Sequence, residues 1–398
     1  METSFPETDG APSQMEPPAF STTYHPDPTS LGAAEPTASA HLSPRRTLPL
    51  PRSESLAQMG PATVAPEQAL VATDRRGGLP QSPAPPPGPV ERWWRVLRPR
   101  MFWLSLMPIL LGTATAWLET PNTKTVFHPF RLLFLALLAL LLHAGANLLN
   151  EYYDALRGTD GLHAQGSSRM IQRELLSADT VRVVGLLLLA LGALILLVLT
   201  LVAHAWGVLL LGGASLALAY LYSAPRYALA YFPLSELLVG FVMGPALVIS
   251  SIQIQGTQVS ALAITFALAL GALAAAVMLA NNLRDLETDR AANKRTLVTY
   301  LGAQVGRTLY GALVLLPYLL IALVAFPHSR PHGILLVLLT LPGLFVVITG
   351  VLRAETPAAL HVVADQTMRL HFRFGFWLLL GYLLSIAAIH LAALAGLH

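Results

Sequence analysis

The sequence predicts an all-α polytopic membrane protein with nine transmembrane helices and a disordered N-terminal tail. Only 12% of its 398 residues are charged and 54% are hydrophobic, whereas soluble domains carry about 25% charged residues. Apolar stretches of about 20 residues, each long enough to cross a hydrocarbon core of about 30 Å, recur from Met101 to the C-terminus. The lipid bilayer is therefore the expected solvent of the chain.

The first 90 residues differ in composition from the rest of the chain. They are rich in Pro, Ser, Thr and Ala and contain no sustained apolar period, so they bury too little surface to offset the entropy lost on ordering. Acidic residues such as Glu2 and Glu7 occupy the place where a secretory signal peptide would be basic. We therefore predict a disordered tail at residues 1–90 and one membrane domain at residues 91–398.

Nine apolar segments separated by short polar loops follow the tail. Their centres lie near Ile109, Ala139, Leu191, Leu211, Val242, Leu270, Leu315, Leu338 and Leu384. If the N-terminus is cytoplasmic, nearly all flanking arginines and lysines fall on the inner side, and only Lys124, Arg131 and Arg330 fall outside. Because cytoplasmic loops are enriched in Lys and Arg, we expect the N-terminus inside and the C-terminus outside.

The composition also excludes several classes of function. The chain has no cysteine, which rules out a disulfide scaffold, a thiolate metal site and a cysteine nucleophile. Its net charge of +3 comes from basic residues spread along the loops rather than gathered into an aromatic-interleaved patch. We therefore expect no nucleic-acid partner.

The first of two polar segments runs from Asn147 to Asp160, at the predicted cytoplasmic end of the second span. Asn150 and Asp154 are four residues apart, so a helix stacks them on one face. Asp160 lies six residues beyond Asp154, about 240° around a continuous helix, and joins them only if the helix breaks. Gly158 is placed to provide that break.

The second polar segment begins at Asn281 and follows the apolar run of the sixth span. Asn281, Asp285 and Asp289 are spaced by four and line one helical stripe. Asn282 lies three residues before Asp285, close enough to the same face to compete for the same role. Both polar segments end even-numbered spans, so both are expected at the cytoplasmic face, where they can form one site.

Carboxylates clustered near hydrocarbon need a compensating cation, since ionised groups are costly there and repel one another. Oxygen ligands without His or Cys favour Mg²⁺, which commonly bridges one or two carboxylates to phosphate oxygens. Arginines and lysines lie close by, as phosphate binding requires. The pattern predicts Mg²⁺ bound with a diphosphate, whose departure lets an allylic carbon react with an electron-rich acceptor.

We assign the candidate residues to three roles. The catalytic candidates are Asp154, Asp285 and Asn150. The candidate Mg²⁺ ligands are Asn150, Asp154, Asp160, Asn281, Asn282, Asp285 and Asp289. The candidate diphosphate-binding residues are Arg169, Lys294, Arg295 and Arg284.

These two segments resemble those of the UbiA-type intramembrane prenyltransferase superfamily, over roughly residues 92–396. The resemblance implies nine transmembrane helices with Asp-rich motifs on the second and sixth. Within the superfamily the chain is most similar to the 1,4-dihydroxy-2-naphthoate polyprenyltransferase branch, through the Asp154-to-Asp160 interval and the string from Asn281 to Leu297. Two positions depart from that branch: Glu151 stands where Asp is frequent, and Asn293 stands where Gly is usual. Asn293 indicates a left-handed backbone position, which Asn tolerates.

The resemblance implies an enzyme of menaquinone biosynthesis in a bacterial cell membrane. Its substrates would be a polyprenyl diphosphate and an aromatic acceptor, most simply dihydroxynaphthoate, which loses its carboxylate to give demethylmenaquinone. Acceptors such as 4-hydroxybenzoate or homogentisate remain open alternatives.

Two other classes of protein were weighed. An ion-coupled transporter or channel would place charged residues near mid-span, whereas the acidic residues here cluster toward one face. A soluble prenyl diphosphate synthase is excluded by the hydropathy. We interpret His143, one turn before Asn147, as a structural histidine, and we expect one of Tyr152 and Tyr153 to face lipid while the other packs inside.

Overall fold

The computed structural model describes residues 86–118, 127–157, 168–224, 228–325 and 331–394. The predicted tail at residues 1–90 lies outside this description up to residue 85. Helices and short turns account for the described residues, and none of them forms a strand. The all-α fold class is therefore confirmed.

We number the helices in chain order. They are α1 (Pro89–Leu97), α2 (Trp103–Leu118), α3 (Pro129–Arg157), α4 (Ala178–Ala203), α5 (Trp206–Leu221), α6 (Ser235–Gln255), α7 (Ala261–Arg284), α8 (Leu286–Ala291), α9 (Leu297–Leu301), α10 (Ala303–Ala325), α11 (His332–Arg353) and α12 (Pro357–Leu394).

Eight helices within the described ranges are long and apolar enough to cross a membrane, when α1 and α2 are counted together as Pro89–Leu118. The one remaining predicted span, the fourth in chain order, is α5. It is an apolar helix of only 16 residues, about 24 Å long at 1.5 Å per residue. Each of the nine apolar segments therefore coincides with a helix. α8 and α9 are short helices that connect two spans on the side of the second polar segment.

Two local backbone features shape the helices around the interior cavity. Arg98 has a left-handed backbone (φ 53°) and separates the amphipathic helix α1 from α2. Pro245 lies within α6, where residues Val242–Ala246 form a π-helical turn, because proline cannot donate the regular helical hydrogen bond. This turn widens α6 at a point where Met243 faces the interior cavity.

α6 and α7 pack backbone to backbone through small residues. A Cβ added to Gly271 of α7 would lie 2.5 Å from the carbonyl oxygen of Gly240 in α6, and one added to Gly244 would lie closer still to the α7 backbone. Transmembrane helices use such small-residue faces to approach closely. This contact fixes the first half of α6 against the middle of α7, the helix whose end carries the second polar segment.

We expect Gly271→Ala to destabilise the protein, because the added methyl group meets backbone that can yield only if the helices move apart. Overpacking of this kind costs about 1 to 3 kcal/mol of unfolding free energy. The measurement is the thermal unfolding midpoint of the purified protein in detergent. Gly311→Ala is the control, since an added Cβ there meets nothing within 4 Å; equal midpoints for the two variants would contradict the prediction.

Candidate functional site

The two polar segments meet at one end of a cavity of about 790 Å³. Nine of the eleven candidate residues line it: Asn150, Asp154, Arg169, Asn281, Asn282, Arg284, Asp285, Asp289 and Lys294. Arg295 is exposed and is not among the lining residues. Asp160 lies outside the described residues, as does Gly158, the residue directly after the end of α3.

The last turns of α3 place Asn150 and Asp154 side by side, as their spacing predicts. The Asn150 amide nitrogen donates a hydrogen bond to Asp154 Oδ2 at 2.7 Å, and the Ser223 hydroxyl donates to Asn150 Oδ1 at 3.0 Å. Arg157 donates to the carbonyl oxygens of Ser223 and Ala224 at 2.7 and 3.0 Å. The residues after α5 are thereby tied to the end of α3 and hold its polar face in place.

Glu151 points away from this polar face and has a structural role. Its side chain is fully buried, forms an ion pair with Arg98 at 3.2 Å and accepts a hydrogen bond from the Ser168 hydroxyl. Ser168 directly precedes Arg169, whose left-handed backbone (φ 56°) begins a turn. Glu151 thus anchors the segment that brings Arg169 to the cavity.

Tyr152 and Tyr153 follow on the same helix. Both residues are buried, each 8% exposed, and their ring centroids lie 4.9 Å apart in an edge-to-face arrangement. The expectation that one of them faces lipid is wrong, because Arg182 of α4 lies over the Tyr152 ring and Tyr220 of α5 is hydrogen-bonded to Tyr153.

The second polar segment bends at Asp285, which ends α7 and precedes α8. Helical hydrogen bonds nevertheless continue from the Asp285 amide to the Asn281 carbonyl and from the Asp289 amide to the Asp285 carbonyl. Arg284 donates two hydrogen bonds to the Asp285 carboxylate, of 2.8 and 2.6 Å, and a third to Asn281 Oδ1 at 2.8 Å. The arginine thereby holds the Asp285 carboxylate while leaving it 28% exposed.

Asp289 and Lys294 form the most buried ion pair of the site. The Lys294 ammonium lies 3.3 Å from Asp289 Oδ1, with 16% and 8% of the two side chains exposed. Between them, Asn293 adopts the left-handed backbone expected from the sequence (φ 54°), and the Lys294 amide donates to the Asp289 carbonyl. This turn brings the two side chains together.

The electrostatics tie both segments to this pair. Burial raises the pKa of the Asp289 carboxyl to about 6, although the ammonium of Lys294 opposes the shift. Burial lowers the pKa of Lys294, but the anionic groups around it, Asp289, Asp154 and Asp285 among them, raise it above its ordinary value overall. The Lys294 ammonium therefore lies within electrostatic range of carboxylates from both polar segments.

One part of the site was not foreseen from the sequence. Asn282 donates a 2.7 Å hydrogen bond to Glu236 Oε1 at the start of α6, and the Ser235 hydroxyl donates to the other oxygen at 3.0 Å. Glu236 and Asn282 are each 2% exposed. Glu236 lies inside an apolar segment, and only its charge there could have marked it.

The residues present fit a hard divalent cation. The Asp289 Oδ2 atom is buried and has no hydrogen-bond partner, so it can coordinate a cation without the loss of an existing hydrogen bond. The donors are carboxylate and amide oxygens, which Mg²⁺ prefers. Within the described ranges no three carboxylate or imidazole groups converge on one point. Mg²⁺ in proteins usually keeps waters and phosphate oxygens among its ligands.

The cavity continues from this polar end into the helix bundle. α3 lines it from Asp154 down to Ala139, about 22 Å along the helix axis. The deeper walls carry leucine, valine and methionine side chains. The His143 Nδ1 atom forms a hydrogen bond of 2.8 Å with the Ser105 hydroxyl, as expected of a structural histidine. His143 also lines the cavity, so the structural role describes it only in part.

Comparison with known proteins agrees with this arrangement. A profile of the UbiA prenyltransferase family matches residues 105–372. The 1,4-dihydroxy-2-naphthoate octaprenyltransferase of Bacillus subtilis is 30% identical over 295 residues, covering 73% of this chain and 92% of that protein. The Mycobacterium tuberculosis protein of the same name is 34% identical over 224 residues, covering 56% of this chain and 74% of that protein.

A solved structure supports the fold independently. A UbiA homolog from Archaeoglobus fulgidus bound to GPP and Mg²⁺ aligns with a TM-score of 0.53 at 18% identity, covering 72% of this chain and 99% of that one. The resemblance stated from the two polar segments is thereby confirmed, and the transporter and soluble-synthase alternatives give way to it. Since the family profile spans most of the helical part and the Bacillus relative is matched over most of its length, the chain belongs to the UbiA prenyltransferase family and is a prenyltransferase.

Proposed function

We propose that this integral membrane protein transfers a polyprenyl group from its diphosphate to 1,4-dihydroxy-2-naphthoate in a Mg²⁺-dependent reaction. The observation that carries the proposal is the form of the cavity: two acidic segments with partly buried arginine and lysine side chains line one end, and apolar side chains line the other. A polyprenyl diphosphate has the same division, with a polyanionic head and a hydrocarbon chain.

The acceptor is inferred from the relatives. Two relatives at 30% and 34% identity carry the name 1,4-dihydroxy-2-naphthoate octaprenyltransferase. The allylic C–O bond would break with both electrons leaving on the diphosphate, and a ring carbon of the acceptor would form the new bond while its carboxylate departs as CO₂. The product is demethylmenaquinone in its reduced, quinol form. The alternative acceptors are 4-hydroxybenzoate, homogentisate or a related quinone precursor.

The residues divide the task between them. Asp154, Asp285 and Asn150 would act at the reacting end, and the Mg²⁺ ligands would come from Asn150, Asp154, Asp160, Asn281, Asn282, Asp285 and Asp289. When bound, Mg²⁺ supplies positive charge that stabilises the departing diphosphate. Arg169, Lys294 and Arg284 would hold the diphosphate oxygens from the cavity wall, and Arg295 from outside it. The apolar wall excludes water, which keeps the allylic carbon for the acceptor.

The placement in the membrane follows the distribution of charge. We place the polar end of the cavity at the cytoplasmic face, with the N-terminus inside and the C-terminus outside, in a bacterial cell membrane. The catalytic domain would be residues 91–398, and the tail at residues 1–90 would be dispensable for the chemistry.

The proposal is tested by incubating membranes that contain the protein with labelled farnesyl diphosphate and Mg²⁺. Parallel reactions receive dihydroxynaphthoate, 4-hydroxybenzoate or homogentisate, each with and without EDTA. We expect labelled lipid product with the naphthoate alone, and none after chelation. Product from another acceptor alone would overturn the assignment of the acceptor, and product that persists in EDTA would overturn the requirement for Mg²⁺.

A further inference from the structure

Glu236 is a buried carboxylate that the reaction described above does not use. It lies in the first turn of α6 with 2% of its surface exposed, and no arginine, lysine or histidine in the described parts of the chain forms an ion pair with it. Its partners are neutral donors, the amide of Asn282 and the hydroxyl of Ser235. Burying a carboxylate is costly unless it is paired or hydrogen-bonded, and its hydrogen bond with Asn282 indicates what Glu236 does.

The contact fixes the direction of the Asn282 side chain. The structure has the Asn282 amide nitrogen donating to Glu236 Oε1 at 2.7 Å, which is the direction that an ionised carboxylate requires, since it only accepts hydrogen bonds. The carbonyl oxygen is held on the other side of the planar amide. Because Asn282 also lines the cavity, that oxygen is the atom left to face a ligand there.

In Asn281 the carbonyl oxygen, rather than the amide nitrogen, is bound by another residue of the protein. Arg284 donates to its Oδ1 at 2.8 Å, so its carbonyl oxygen already serves a cationic group of the protein. The spacing alone left Asn281 and Asn282 as competitors for one role, and their hydrogen bonds separate them.

We propose that Glu236 is a positioning residue that turns the carbonyl oxygen of Asn282 toward the cavity, which makes Asn282 rather than Asn281 the amide ligand of the divalent cation. The inference rests on the proposed function, which supplies the cation. Without Glu236 the amide can rotate by half a turn and present its NH₂ group, which repels a cation. Residues that orient metal ligands in this way typically change metal affinity by about 10- to 100-fold when they are replaced.

The test measures Mn²⁺ binding by electron paramagnetic resonance, on the purified full-length protein in detergent without prenyl diphosphate. We expect Glu236→Leu to weaken binding by about tenfold or more, and Glu236→Gln to weaken it less, since its side-chain carbonyl can still accept from Asn282. The double variant Glu236→Leu with Asn282→Asp should recover most of the affinity, because a carboxylate presents an oxygen in either orientation. A purely structural Glu236 would give no such rescue.

Two further comparisons keep the test decisive. Thr340→Val removes a buried hydroxyl that bonds Tyr318 at 2.6 Å, and we expect it to leave Mn²⁺ binding unchanged. Should Glu236→Leu fail to fold, Asn282→Ala must weaken Mn²⁺ binding more than Asn281→Ala does, and the reverse order would overturn the inference. Unaltered binding in Glu236→Leu, or a double variant as weak as the single one, would also overturn it. Absence of Mn²⁺ binding by the wild-type protein would instead contradict the proposed function.

Discussion

Asp285→Asn is expected to lower kcat by about 100- to 1000-fold, the loss that is typical when one group that stabilises transition-state charge is removed. Asp285 ends α7, with its carboxylate held by Arg284 and still 28% exposed at the cavity. Asparagine has nearly the same shape and retains an acceptor for Arg284, so the fold should survive. The lost negative charge weakens the hold on Mg²⁺, and the Mg²⁺ concentration needed for half-maximal rate should rise as well.

Glu287→Gln is the matched control for this substitution. Glu287 lies two residues further along, is 80% exposed and pairs with Arg290 at the surface at 3.0 Å. Surface pairs contribute about 0 to 1 kcal/mol of stability, so we expect a rate close to that of the wild type. Both variants are assayed for prenyl transfer over a range of Mg²⁺ concentrations. If Asp285→Asn and Glu287→Gln behaved alike, a role for Asp285 at the reacting end would be ruled out.

The helical organisation could be predicted from the sequence because it depends on local properties. Apolar length alone places a helix at each of the nine segments, and spacing by four alone places Asn150 beside Asp154. The left-handed turn at Asn293 could also be predicted from the sequence, since few residue types tolerate that conformation. In each case the physical cause lies within a few residues of its effect.

The roles of individual polar residues depend on contacts that no local pattern encodes. Glu151 and Asp154 are three residues apart in one acidic segment, yet Glu151 is buried against Arg98 while Asp154 faces the cavity. Lys294 and Arg295 are adjacent cations, but only the lysine is turned inward to Asp289. Glu236 enters the site from a separate helix. Each outcome is decided by how distant helices pack.

Lys294→Met is expected to raise the apparent KM for the prenyl diphosphate by about 10- to 100-fold, which corresponds to the loss of one charge-assisted hydrogen bond. The Lys294 ammonium lies 3.3 Å from Asp289 and 5.5 Å above the ring of Tyr231. Since the surrounding carboxylates hold its pKa above the ordinary value, it carries a full positive charge while it binds. Methionine keeps the length and apolar stem of the side chain but cannot compensate either Asp289 or a diphosphate.

Lys294→Arg and Arg290→Met complete this experiment. Arginine keeps the charge in a planar group of different shape, so we expect a KM between those of the wild type and Lys294→Met. Arg290 is 48% exposed and pairs with Glu287, so Arg290→Met removes a cation from the same segment without touching the cavity and should leave KM unchanged. Initial rates at varied farnesyl diphosphate and saturating Mg²⁺ give all four values. Equal KM values for Lys294→Met and Arg290→Met would mean that the inward-facing lysine stabilises the protein and takes no part in holding the diphosphate.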